Sequence, residues 1–239
     1  MPSKRFLKSI AVIPDGNRRY AKKYELSIEE AYKSGFQNIR DFTNWLEGTK
    51  TREVTFWAMS LDNFTKRSKT ELDILFTLMQ SHVEEAFSSR EWVDKNTRVK
   101  FFGKREMLPS KLVEKMAVLE EKTRDCDSLT VNIALAYSGK EEILQAVNKI
   151  AREAQQAQKS GLHALDALDE IKFIKYLYYP NSPDLIIRTG GVQRLSGFLP
   201  WQSEYSEIYF SPKLWPELSR LDLTQAIEFY KETEARYGK

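Results

Sequence analysis

An α/β fold, with a central, mostly parallel sheet flanked by helices, is what this sequence predicts. Three features predict it. Short apolar runs recur along the chain, each run is followed by a stretch of helical periodicity, and capping signals sit where those stretches begin. The runs are SIAVI (9–13), EVTFWAM (53–59), VKFF (99–102), LTVNIALA (129–136), DLIIR (184–188) and EIYF (207–210). Between them, Phe36, Ile39, Phe42 and Leu46 form one apolar stripe, and Leu72, Leu75, Phe76, Met79, Val83 and Phe87 form another. The second stripe predicts a helix over 69–88 with a broad apolar face, Ile74 and Leu78 lying beside it. Ser27 with Glu30, Ser68 with Glu71 and Ser138 with Glu141 have the spacing of reciprocal capping boxes. A closing helix is expected over 222–236. With 239 residues, no internal repeat and no linker-like stretch, residues 1–239 read as a single domain.

Composition narrows the classes. The 37 Lys and Arg exceed the 34 Asp and Glu by only three, which gives no footprint for nucleic acid, and no nucleic-acid partner is expected. One cysteine, Cys126, excludes an intrachain disulfide and a cysteine-based zinc site, and suits a reducing cytoplasm. No apolar run approaches the roughly 18 residues that a membrane span requires. The basic start MPSKRFLKS reads as a solvated tail, and is the stretch suited to touch anionic lipid at a membrane surface. A cytoplasmic protein is therefore expected.

In such a fold, ligands sit beyond the carboxyl ends of the strands. Four of the first five runs deliver a polar cluster there: Asp15 to Arg19; Ser60, Asp62, Asn63, Lys66 and Arg67; Ser138 and Gly139; and Arg188 with the Thr-Gly-Gly after it. A DGNRR segment at a strand-to-helix junction offers backbone N–H groups and forked guanidinium donors, both suited to phosphate. RTGG, with Arg194 and Ser196 behind it, offers a second anion cradle. Two cradles imply two phosphorylated ligands, or one ligand with two phosphate groups. Asp15 is the first candidate to bring Mg2+ to them, since that ion takes one or two carboxylates plus phosphate oxygens. Singly, each element has an ordinary explanation as a turn, a cap or a solvated charge. There is no Walker-type loop. His82 reads as part of a helix face and His163 as a loop residue, so a histidine-based nucleophile is not expected.

Taken in order, the motifs resemble those of the cis-prenyltransferase family, whose best-known members are undecaprenyl diphosphate synthases. The resemblance runs through "IPDGNRRYAKK" (13–23), "AMSLDNFTKRS" (58–68), "ALAYSGKEEI" (134–143), "DLIIRTGGVQRLSGFLPWQSEYSEIYF" (184–210) and "RYG" (236–238). It implies an enzyme that condenses an allylic diphosphate with isopentenyl diphosphate to form a Z double bond. It also implies a homodimer, Mg2+ as cofactor, a hydrophobic tunnel for the product, and delivery of that product to a membrane. On this resemblance Asp15 supports Mg2+ and the allylic diphosphate, which Gly16, Asn17, Arg18 and Arg19 hold with Tyr20 flanking. Ser60 and Asn63 match S-x-x-N, with Leu61 and Asp62 between them; Asn63 is implicated in removing the C2 proton, and Phe64 follows as the aromatic. Arg188, Arg194 and Ser196 match the isopentenyl diphosphate cradle. Glu207 matches a Mg2+-binding glutamate near the dimer interface, and Arg236 with Gly238 an ending that reaches a neighbouring subunit's site.

The chain departs from the pattern in places. Gly-His becomes Ala31-Tyr32, Glu-x-Arg becomes Val192-Gln193-Arg194, and either Lys66 or Arg67 fills the cation place after Asn63. These departures leave two further readings open. One is an enzyme with a non-isopentenyl acceptor, or one coupling two allylic diphosphates. The other is a non-catalytic subunit of a hetero-oligomer, against which the retained Asp-Gly-Asn argues.

Overall fold

The computed structural model describes residues 6–160 and 168–233. Six strands, β1 (Ser9–Ile13), β2 (Glu53–Trp57), β3 (Thr97–Phe102), β4 (Leu129–Ala134), β5 (Leu185–Arg188) and β6 (Glu207–Phe210), form one sheet in the order β3-β4-β2-β1-β5-β6. Every pairing is parallel. Parallel sheets are covered on both faces, so their strands read as unbroken apolar runs. SIAVI does so and is buried at all five positions.

The helices are α1 (Asn17–Lys23), α2 (Ile28–Trp45), α3 (Asp62–Lys66), α4 (Lys69–Ser88), α5 (Glu91–Asp94), α6 (Ser110–Lys122), α7 (Gly139–Lys159), α8 (Glu170–Phe173) and α9 (Arg220–Glu232). On one side of the sheet α2 and α9 cover the cluster of Ile10, Val12, Phe42, Phe56 and Trp215. Beside it, α4 and α6 close a second cluster around Met79, Val83, Leu112 and Met116. Burying a side chain of this size contributes roughly 1.5–3 kcal/mol, which makes these clusters the main source of stability.

Local expectations fared unevenly. β6 and α4 have the predicted bounds. The second and fourth runs leave the sheet after Trp57 and Ala134, two residues before the apolar pattern ends, and turn toward the rim. Of the three capping boxes, only Ser27 with Glu30 is reciprocal. Ser68 accepts from the Glu71 backbone N–H, but the Glu71 carboxylate turns to Tyr32 instead. Ser138 makes no side-chain cap, and Glu141 faces Lys104 and Tyr178. The last helix starts at Arg220, behind a capping box of Ser219 and Asp222. Arg236, Gly238 and His163 lie outside the described residues.

Candidate active site

The strand order reverses at β1: the chain passes from β1 to β2 on one side and later adds β5 on the other. The crevice at such a switch point is where open α/β sheets bind ligands. Asp15 leaves β1 on one lip and Arg188 ends β5 on the other. The Arg188 Nη2 donates to Asp15 Oδ2 at 2.9 Å, across 173 residues of chain. On the other side of the carboxylate, Arg19 Nη2 donates to Oδ1 at 3.1 Å, and its Nη1 donates to the Gly190 carbonyl at 2.6 Å. Gly190 has φ +86°, and a Cβ there would lie 2.3 Å from Arg19 Nη2, so a side chain would push the guanidinium off Asp15. The Asp15 carbonyl is itself held by Thr189 Oγ1 at 2.8 Å and by the Trp215 N–H at 3.0 Å. The carboxylate is thus fixed from several sides while staying 31% exposed.

Arg188 is 5% exposed. Its Nη1 donates to the Arg194 carbonyl and, at 2.8 Å, to Ser196 Oγ, yet its Nε has no partner. Asn17 Oδ1 is likewise buried and unpartnered, lying where a Cβ on Gly35 would come within 2.4 Å. A buried polar atom left without a bond costs on the order of 1–3 kcal/mol. Both residues also border one cavity.

That cavity holds about 250 Å³ and brings together Asp15, Asn17, Tyr32, Ser60, Asn63, Arg67, Arg188 and Ser196. Asn63 Oδ1 accepts from the Ser60 N–H at 3.2 Å, which fixes the turn ahead of α3. Between Lys66 and Arg67 the structure discriminates: Arg67 borders the cavity with its side chain 16% exposed, whereas Lys66 is on the exterior with Asp62. Arg67 lies over the Tyr32 ring at 5.5 Å, and its Nε is 3.5 Å from Glu71 Oε1. The same oxygen accepts from the Tyr32 hydroxyl at 2.5 Å, and Arg18 Nε is 4.0 Å away. Burial drives the Tyr32 pKa up, so the phenol stays a neutral donor.

Other expected residues border the cavity less closely or not at all. Gly16, with φ +121°, caps α1 against Leu214. Tyr20 packs at a tilt against Tyr24, 4.6 Å between ring centres. The Leu61 N–H bonds the Tyr137 carbonyl, and Phe64 packs on Phe76. Arg194 contributes its carbonyl, its side chain being exposed. Glu207 is farthest from the rest. It opens β6 opposite Leu185, which pairs with Ile10, so it sits at the sheet's amino edge while Asp15 lies past the carboxyl edge. Three residues of strand, about 10 Å, separate the two levels. Among the described residues no three His, Cys, Asp or Glu side chains are placed to hold a metal ion.

Sequence reasoning found part of the walls, since Phe36, Ile39, Leu75, Met79 and Val83 lie on the two apolar stripes, and missed Gly35, Trp57 and Trp215. Trp57, Trp215, Gly35 and Leu75 line the polar cavity. Phe36, Ile39 and Ala58 border both it and a second cavity of about 100 Å³, whose exposed lining is almost wholly apolar. The second cavity lies between α2, α4, α6 and the sheet, among Met79, Val83, Leu112 and Leu135. The stripe on α4 was legible, but its neighbours on other elements have no local signal.

Residues 13–238 match the family model described as "Putative undecaprenyl diphosphate synthase". The chain belongs to this family, the cis-prenyltransferases. Like the rest of the family it is an enzyme that transfers prenyl groups. A relative from Pyrobaculum aerophilum, named tritrans,polycis-undecaprenyl-diphosphate synthase (geranylgeranyl-diphosphate specific), is 40% identical over 232 residues, 96% of this chain and 95% of that one. An isoprenyl transferase from Thermus thermophilus is 36% identical over 232 residues, covering 96% and 88%. Among solved structures, lavandulyl diphosphate synthase from Lavandula x intermedia, in complex with dimethylallyl diphosphate, superposes with a TM-score of 0.90 at 29% identity, covering 98% of each chain. A probable undecaprenyl diphosphate synthase from Campylobacter jejuni gives 0.77 at 31% identity, covering 98% and 100%. The cis-prenyltransferase fold expected from the motifs is therefore the fold of this chain. Among its described residues no helix is long and apolar enough to cross a membrane.

Proposed function

We propose that this cis-prenyltransferase condenses an allylic diphosphate with isopentenyl diphosphate to give a Z-polyprenyl diphosphate, with Mg2+ as cofactor. One observation carries the reading: a polar cavity lined by Asp15, Asn63, Arg67 and Arg188 adjoins an apolar one, with Phe36, Ile39 and Ala58 bordering both. A diphosphate fits the first and its hydrocarbon the second, which would be the start of a tunnel. The named specificity of the Pyrobaculum relative points to geranylgeranyl diphosphate as starter.

The residues present fit Mg2+ in one way. Among the described residues one carboxylate, Asp15, borders a cavity rich in phosphate-binding groups, and Mg2+ is held by one or two carboxylates together with substrate phosphates. When bound, the ion neutralises charge on the departing diphosphate. Glu207 contributes only if a second protomer brings it near, given its place at the far end of β6. Arg18, Arg19 and Arg67 receive the allylic diphosphate and stabilise the charge that grows as its C–O bond breaks. Arg188 and Ser196 bind isopentenyl diphosphate, with Arg194 closing over it. The Asn63 amide, held by Ser60, sits where the C2 proton leaves. Trp57, Phe36 and Leu75 exclude water from the cationic intermediate.

Exposed apolar side chains on α7, Leu144 and Val147, with Ile171 and Trp201 nearby in the fold, support a homodimer. The product, a long apolar chain, is destined for a membrane from a cytoplasmic enzyme.

Purified protein, Mg2+ and labelled isopentenyl diphosphate, incubated with each allylic starter and chromatographed, test the proposal. A ladder of Z-prenyl diphosphates, abolished by a chelator and restored by Mg2+, is the expected result. A second reading, coupling of two allylic diphosphates, is favoured by the superposition with lavandulyl diphosphate synthase and by Tyr32 in the cavity wall. Product from dimethylallyl diphosphate alone, with no incorporation of isopentenyl label, would replace the first reading by this one.

A further inference from the structure

The apolar cavity is far smaller than a polyprenyl chain. Its roughly 100 Å³ is a small fraction of what a chain of many isoprene units fills, so a growing chain has to part its walls. Most of that wall is tightly packed strand and helix, which yields little. One stretch is built differently. The short helix α5 puts Trp92 against the cavity, and α5 lies between two non-glycine residues of left-handed backbone, Arg90 at φ +56° and Asn96 at φ +50°. Positive φ at an arginine is unfavourable and marks a point held by its surroundings. The Trp92 Nε1 is buried without a partner, so swinging the ring outward would let it reach water.

Besides the packing of Trp92 on the two apolar clusters, ion pairs hold α5 in place. Arg40 on α2, which also borders the cavity, donates Nη1 to Glu85 on α4 at 2.8 Å and Nη2 to Glu91 on α5 at 3.0 Å. His82 on α4 completes this corner, 3.7 Å from Glu85 and with its ring tilted against Phe36. At the other end of α5, Lys95 bonds Asn44 and lies 2.9 Å from Glu47 and 3.3 Å from Glu91. Arg40 therefore fastens the end of α5 that carries Trp92, and Lys95 fastens the opposite end. Partly exposed ion pairs are weak compared with packed apolar contacts, so this fastening yields before the rest of the wall.

We propose that α5 is a hinged floor to the hydrocarbon cavity and that Arg40, through Glu91, is the positioning residue that sets how readily it opens, and so how long the product grows. The proposal rests on the reading that the apolar cavity takes the growing prenyl chain.

The test compares product ladders from full-length wild type, Arg40→Met, Glu91→Gln and Lys115→Met, each with labelled isopentenyl diphosphate and the preferred allylic starter. Lys115→Met removes a pair between α6 and Glu84 of α4, away from α5, and controls for general loosening. Arg40→Met and Glu91→Gln are expected to shift the main product by at least one isoprene unit, while Lys115→Met leaves it in place. Should Arg40→Met fail to fold by circular dichroism, the ladder of Glu91→Gln decides. Folded variants with the wild-type ladder, or an equal shift in Lys115→Met, would overturn the proposal. Absence of any product from the wild type, with every starter, would instead remove the underlying reading and the hinged floor with it.

Discussion

Asp15 and Glu142 both lie beyond the carboxyl edge of the sheet, and both are surrounded by donors, yet the two environments differ in access. Glu142, in the first turn of α7, has no exposed surface. It accepts from the Tyr137 hydroxyl at 2.6 Å, the Tyr179 N–H at 2.9 Å and Gln202 Nε2 at 3.1 Å. Burial pushes its pKa up from the ordinary carboxylate value, against the pull of those hydrogen bonds. Asp15 is held by two guanidinium groups, but it stays 31% exposed and opens on a cavity. An enclosed network pins α7 to the loops around it. An accessible one is a place for a ligand. The difference between scaffold and site lies in access, not in the residue types: each network leaves a buried polar atom without a partner, Arg188 Nε in one and Gln202 Oε1 in the other.

The contrast is sharpest in the response to alanine. Asp15→Ala is expected to lower kcat/KM by roughly a thousandfold or more while leaving the thermal midpoint nearly unchanged, since the loss falls on charge stabilisation in the transition state. Steady-state assay beside a melting curve reads both. Glu142→Ala should do the reverse: three donors lose their acceptor, and stability falls by about 3 kcal/mol or more, read from the denaturant midpoint. If Glu142→Ala melted like wild type but lost activity, the contrast would break.

Within the site, neighbouring cations provide a finer comparison. Arg67→Met should raise KM for the allylic substrate about 30-fold, the worth of a charged hydrogen bond. Lys66→Met, on the exterior, should stay within about twofold. Equal effects would mean that the loop before α4 rearranges on binding. The smallest effect belongs to a third carboxylate. Burial works to raise the Asp222 pKa, but hydrogen bonds from Ser219 and Lys213 outweigh it and hold the value below 3.8. Its contribution to stability is therefore complete above that pH and is lost as the pH falls through the depressed value. Asp222→Asn should cost about 1 kcal/mol at pH 7 and progressively less in acid, measured by chemical denaturation at the two pH values.

Much of this was legible in the sequence because it is local. Buried parallel strands announce themselves as apolar runs, and the rim follows from where those runs end. Asp15, Asn63 and Arg188 fall on that rim by their places in the sequence alone. What was not legible depends on the meeting of distant elements. Glu71 has the spacing of a capping residue, but Tyr32, brought alongside from α2, captures its carboxylate. Lys66 and Arg67 are adjacent in sequence and are told apart only by the way the chain leaves α3. Glu207 belongs to a motif, yet strand register puts it at the opposite edge of the sheet from Asp15.

The pairing of β1 with β5 has a consequence in time. The first strand made by the ribosome finds one of its two neighbours only after most of the chain has been synthesised, because Ile10 pairs with Leu185. Until then β1 keeps one unpaired edge, an apolar template of the kind that invites wrong partners. Contacts so distant in sequence also slow folding. The nascent enzyme thus spends most of its synthesis with half of its active site waiting for the other half, which makes this edge the place where a chaperone would matter most.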